Sequence, residues 1–172
     1  MAQVNKAGPT GPSKADLAKD ARALVRKGLK AALATIASGT GDPYASLLTI
    51  ATDPAGAPIF LISGLAQHTR NLGHNSRASI LFDGTGLAGD PLQGARVTLF
   101  GAAEKADDET VRRRFLERHP EAAFYADFPD FAFWRLNVEG AHYIGGFGRI
   151  VDLKPDELLV PTADAEGLIA AE

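Results

Sequence analysis

Residues 63–82, SGLAQHTRNLGHNSRASILF, carry the end of one strand, a short helix and the start of the next strand. The apolar run Ile59-Phe60-Leu61-Ile62 reads as a strand over 58–63 that breaks at Ser63-Gly64. A helix over about 66–74 then presents Gln67, His68, Thr69 and Arg70. Arg77-Ala78-Ser79-Ile80-Leu81-Phe82 returns as a strand over 77–83. Hydroxyls, an imidazole and a guanidinium therefore gather around the first turn of a helix. Free backbone N–H groups and the helix dipole favour an anion there, and the anion expected is a phosphate. The alternative is a solvated helix start that binds nothing.

Upstream, residues 1–12 are rich in Gly, Pro and small polar residues and read as a flexible N-terminal arm. Ser13, with Asp16 three residues on, starts a helix that runs to about Lys27. Its apolar stripe is Leu17, Ala21, Leu24 and Val25, and Gly28 stops it. Short strands follow over 31–37 and 44–52, separated by the turn residues Ser-Gly-Thr-Gly-Asp-Pro. Downstream, 95–105 reads as a long strand with Gly101 marking a bulge or a close backbone approach. Acids at 107–109 and arginines at 112–118 order a helix by its dipole, and His119-Pro120 ends it. Strands over 131–138 and 141–147 are expected to flank a tight Glu139-Gly140 turn. Six or seven strands without βαβ repeats predict a mostly β fold with peripheral helices, an antiparallel barrel. The barrel domain spans 13–152, and 153–172 forms a tail with one helical turn near Asp156.

The chain has 172 residues, 45% hydrophobic and 23% charged, which fits one soluble globular domain. A net charge of -3 offers no polybasic footprint, so nucleic acid and anionic membrane are not expected partners. The absence of cysteine excludes disulfides, thiolate metal sites and a cysteine nucleophile. With no apolar leader and no run long enough to span a membrane, a cytoplasmic location is expected.

Several motifs occur in a fixed order: Ala32-Leu33-Ala34-Thr35-Ile36, Pro43-Tyr44-Ala45-Ser46-Leu47, and Leu65-Ala66-Gln67-His68-Thr69-Arg70-Asn71-Leu72. Then come Asp90-Pro91-Leu92, Arg96-Val97-Thr98-Leu99-Phe100-Gly101, Arg118-His119-Pro120-Glu121-Ala122 and Gly145-Gly146-Phe147-Gly148-Arg149. This set resembles the FMN-binding split-barrel proteins related to pyridoxamine 5'-phosphate oxidase, and within them the haem-utilisation (HugZ-like) branch. The resemblance implies a six-stranded antiparallel split β-barrel that forms a homodimer with FMN at the subunit interface. It further implies a flavoprotein oxidoreductase acting with a small-molecule substrate or electron donor. Gln67, His68, Thr69 and Arg70 match the phosphate-binding segment, with His68 and Thr69 departing from the oxidase's Ser-Arg-Lys run, and Ser63 beside them is a further cofactor-binding candidate. Tyr44, Ala45 and Ser46 match the strand lining the flavin ring, and Arg96 matches a flavin-contacting position where glutamine is usual. The residues suggest no obligatory acid or base, so the chemistry belongs to the cofactor.

The alternative within the same resemblance is a haem-binding protein that stores, transfers or degrades haem without flavin. No histidine, cysteine or methionine follows His142, so the iron ligands available to this reading are His142 and a partner subunit's His68. His142 reads either as a barrel-wall histidine or as a ligand. Arg149, in its glycine-rich setting, is a candidate for a ligand carboxylate or phosphate. His74 reads as a helix cap or a solvated residue, and His119 as structural. No His-x-x-x-His or His-Glu pair points to a dedicated metal site. The aromatics from Phe124 to Trp134 read as barrel core plus dimer interface, or as a wall against a flavin or porphyrin ring.

Overall fold

The computed structural model describes residues 11–86 and 89–162. Most of the expected N-terminal arm and residues 163–172 of the expected tail lie outside the described residues. Helix α1 (Lys14–Lys27) begins with a reciprocal capping box, in which the Ser13 hydroxyl accepts from the Asp16 N–H and the Asp16 carboxylate accepts from the Ser13 N–H. Gly28 closes it by donating to the Leu24 and Val25 carbonyls. The strands follow as β1 (Lys30–Ile36), β2 (Pro43–Thr49), β3 (Ala51–Thr52), β4 (Pro58–Ser63) and β5 (Arg77–Gly84), with helix α2 (Gln67–His74) between β4 and β5. Strand β6 (Ala95–Lys105), helix α3 (Glu109–Arg118), strand β7 (Phe131–Ile144), strand β8 (Ile150–Leu153) and the turn of helix α4 (Pro155–Leu158) complete the order.

All eight strands join one antiparallel sheet in the order β2-β1-β5-β6-β7-β4-β3, with β8 added to the far half of β7. The two ends of that order, β2 and β3, are consecutive in sequence and separated by Ile50 alone. A flat sheet cannot hold its opposite ends one residue apart, so the sheet curls into the split barrel. The expected single strand over 44–52 divides at Ile50 for a local reason. Its N–H donates to the Leu29 carbonyl at 3.1 Å, and its own carbonyl lies 2.9 Å from Nε2 of buried His119. The N–H thus continues the register of β1 with β2, while the carbonyl is drawn out of the strand ladder toward His119.

Alternation decides which side chains fill the barrel. Leu33, Ile80, Phe82, Val97, Leu99, Leu136 and Tyr143 point inward and meet Leu17, Ala21 and Val25 of α1. Strand β4 is buried on both faces, as its unbroken apolar run requires. Phe60 and Ile62 enter the barrel core, whereas Ile59 and Leu61 pack with Val111 and Phe115 of α3 in a second core. The aromatic cluster divides accordingly. Trp134 is buried and Tyr125, Phe131 and Phe133 pack on the second core, but Phe124 is 82% exposed.

One expectation is corrected. Residues 131–138 and 141–147 do not flank a turn: they form one strand, β7, in which Glu139 is the extra residue of a bulge opposite Phe100 and Gly101. A Cβ on Gly101 would overlap the Asn137 carbonyl, so only glycine allows β6 and β7 to approach this closely. The chain instead turns at 145–149, where Gly146 and Gly148 take φ of +108° and +73°, and returns as β8. Residues 154–160 stay attached, with Leu158 buried and the Val160 N–H donating to the Ala55 carbonyl. No described helix is long and apolar enough to cross a membrane.

Candidate functional site

The segment after β4 folds as the sequence predicts, but most of its polar groups hold each other. The Ser63 hydroxyl donates to Asp130 Oδ2 at 2.5 Å and accepts from the Leu65 N–H at 3.1 Å. Thr69 Oγ1 donates to the Ser63 carbonyl at 2.6 Å. Arg70 reaches backwards, with Nη1 at 2.7 Å from the Leu65 carbonyl and Nη2 at 2.8 Å from Gln67 Oε1. Gln67 Nε2 in turn donates to Asn71 Oδ1 at 2.8 Å. No side chain caps the N-terminus of α2. A phosphate would meet those free amides together with the Asp130 carboxylate, which repels it. The segment therefore fits a flavin phosphate less well than its residue types suggest.

Asn71, which the sequence did not single out, anchors this helix. It is fully buried, donates to Thr35 Oγ1 of β1 at 3.0 Å and accepts from the Ser38 N–H at 3.2 Å. That pins α2 on the inner face of β1, since Thr35 points the same way as buried Leu33. His68 lies beside it. Its Nδ1 is 3.0 Å from Ser46 Oγ on β2, while Nε2 is buried with no hydrogen-bond partner. Burial holds the imidazole below its ordinary pKa, so the ring is neutral near pH 7.

Strand alternation separates the other expected residues. Ser46 and Tyr44 are register partners of the inward-facing Leu33 and Thr35, whereas Ala45 pairs with outward-facing Ala34. Arg96 lies on the outer face, where Nη1 donates to the Leu92 and Gly94 carbonyls at 3.1 Å each. The predicted set thus splits between the two faces of the sheet. Ser46, His68 and the α2 segment are inside; Arg96 and His142 are outside.

His142 lies opposite Thr98 on β6 and opposite Asp152 on β8. Its Nδ1 is 2.7 Å from Asp152 Oδ1. Asp152 carries no signal in the sequence, because only the hairpin turning at 145–149 brings it level with His142. Arg149 stands at that turn with Lys27, Gln93 and Tyr143 around a cavity of about 390 Å³. The remaining histidines behave as expected. Nδ1 of His74 lies 3.0 Å from the Arg70 carbonyl at the helix end, and His119 is buried against Phe115. No cluster of metal-binding side chains occurs among the described residues.

The outer face around His142 sets exposed apolar side chains beside the charged groups of Arg96, Asp83 and Asp152. Register places Leu47, Ala32, Leu81, Thr98 and His142 in one row, with Phe100 in the row to one side and Ile144 and Ile150 in the row to the other. Leu47 is 69% exposed, and Leu81, Phe100 and Ile150 are exposed as well. Large apolar side chains gathered on one sheet face mark a surface that binds something.

Comparison with known proteins places the chain among haem-associated relatives. It is 38% identical over 111 residues to the non-canonical heme oxygenase HOZ, chloroplastic, of Arabidopsis thaliana, a match covering 62% of this chain and 33% of that protein. The chain therefore spans about a third of the curated relative it matches. The structure of a heme binding protein from Mycobacterium smegmatis superposes with a TM-score of 0.77 at 35% identity, over 87% of this chain and 61% of that one. HutZ, the heme storage protein from Vibrio cholerae, superposes with a TM-score of 0.61 at 26% identity, over 73% and 92%. Residues 12–159 match the family described as CREG, beta-barrel, and the curled antiparallel sheet is that architecture: the chain belongs to the CREG beta-barrel family.

Proposed function

We propose that this chain binds haem, and that it does so on the outer face of the sheet between two copies of itself. The observation that carries this reading is the exposed apolar face from Leu47 to Ile150, which contains the accessible imidazole of His142 and the cation of Arg96. A porphyrin needs an apolar plane, a ligand to its iron and cations for its carboxylates, and this face supplies all three types of group. The relatives described above as a heme oxygenase, a heme binding protein and a heme storage protein support the same reading. Haem, when bound, would supply the redox and oxygen chemistry. The chain's own residues bind it, orient it and exclude water from one side. The face is wider than one row of side chains, which supports a second copy seated across it as the homodimer partner.

FMN is the second reading, favoured by the uncapped N-terminus of α2 beside the hydroxyls of Ser63 and Thr69. Titration of the purified chain with haemin and, separately, with FMN tests both. A near-stoichiometric Soret band that survives gel filtration supports the haem reading. Retention of the two-band flavin spectrum, with no retention of haemin, overturns it in favour of the flavoprotein.

A further inference from the structure

We infer that His142, oriented by Asp152, is the iron ligand of this haem site. The inference rests on the haem reading above and assigns its central residue. Three observations lead to it. First, the carboxylate 2.7 Å from Nδ1 fixes the tautomer that carries its proton on Nδ1 and its lone pair on Nε2. This is the arrangement that orients a metal-binding histidine and raises its basicity. Second, the ring is accessible. The His142 side chain is 46% exposed, on the apolar face where a flat ligand would lie. Third, Arg96 stands one register row away, across β6 and β7, and uses only Nη1 in its described bonds. Asp83 is its register partner on β5, and Nε and Nη2 make no described hydrogen bond, so they are the donors left for a porphyrin carboxylate.

The other histidines lack this combination. Nε2 of His68 is buried on the inner side, His119 is buried with Nε2 against the Ile50 carbonyl, and His74 sits at a helix end without a carboxylate on its ring. An exposed histidine–carboxylate pair adds little to folding stability. Its loss should therefore register at the iron and not in the melting temperature.

The test uses the full chain titrated with haemin, in the wild type and in His142→Ala, His68→Ala and Asp152→Asn. The readouts are the Soret position, the Fe–His stretching band of the ferrous protein and thermal melting. The expected result is histidine ligation in the wild type and in His68→Ala. His142→Ala loses the Fe–His band and binds haemin about tenfold or more weakly. Added imidazole restores the ligated spectrum to the haemin that His142→Ala retains through gel filtration, and unchanged melting shows that the variant is folded. Asp152→Asn keeps the ligation but lowers the Fe–His frequency, with melting unchanged.

An unchanged Fe–His band in His142→Ala overturns the inference while leaving haem binding intact. Loss of the band in His68→Ala, with the band retained in His142→Ala, moves the ligand to the inner side. A wild type that retains no haemin overturns the underlying reading together with the inference.

Discussion

The hydroxyl of Ser63 lies 2.5 Å from Oδ2 of Asp130, so the residue that ends β4 is tied to the turn that begins β7. The contact places a carboxylate beside the helix start that would hold a flavin phosphate. Asp130→Asn removes that charge and keeps a hydrogen-bonding group in its place. The repulsion relieved is at least about 1 kcal/mol, the value for unit charges about 4 Å apart in water. FMN affinity, read by quenching of flavin fluorescence, should rise about fivefold or more. Unchanged affinity would show that the helix start does not receive the phosphate.

Protonation of His68 should make the fold sensitive to acid. Burial depresses its pKa in the folded chain below the ordinary 6.5. As pH falls through about 6.5, the unfolded chain takes up a proton that the folded chain refuses. Unfolded chains therefore bind more protons, and stability declines until the pH reaches the lower folded value. Above 6.5 this group adds no slope. Urea midpoints measured from about pH 8 to 5 should fall more steeply in the wild type than in His68→Gln. Equal slopes would sink this account.

Charge placed on the outer face should separate the two copies. Leu47→Glu sets a carboxylate on a side chain that is 69% exposed in the single chain. Light scattering after gel filtration should give a dimer for the wild type and a monomer for this variant, with the circular dichroism spectrum unchanged. A dimer that survives the substitution would place the interface elsewhere.

The bulge makes Gly101 hard to replace. Gly101→Ala drives a methyl into the Asn137 carbonyl and must push β6 and β7 apart. A loss on the order of 2–3 kcal/mol is expected from urea denaturation.

Asn71→Ala should cost more than a surface change for a different reason. It takes the partner from the half-buried Ser38 N–H and Gln67 amide and leaves the buried Thr35 hydroxyl with only the Tyr44 carbonyl at 3.5 Å. About 2–4 kcal/mol is expected, with α2 losing protection from hydrogen exchange before the strands do.

The helices and the centre of the sheet were legible in the sequence because local chemistry determines them. Ser13 and Asp16 cap α1 reciprocally, and Ile59 to Ile62 form a strand whether it is buried on one face or two. The failures lie where a signal has two structural meanings. Glu139-Gly140 between alternating segments is the pattern of a hairpin turn, and also of a bulge when another strand needs the space of a missing side chain. Phe100 and Gly101 on β6 decide between them, and their pairing with residues 137–140 is invisible locally. Ile50 is similar, since its strand breaks to satisfy His119, a residue distant in sequence. Spacing alone gathers hydroxyl, imidazole and guanidinium groups around the α2 helix start. Their mutual engagement and the carboxylate of Asp130 come from folding, not from spacing.

β7 also fixes an order of events during translation. It borders β6 along its length, β4 on its first half and β8 on its second. Strand β4, apolar on both faces, emerges from the ribosome well before it and has only the two-residue β3 as an earlier strand partner. A nascent chain stalled before Phe131 thus exposes an unpaired greasy edge, the species that chaperones recognise and that aggregates when they are scarce.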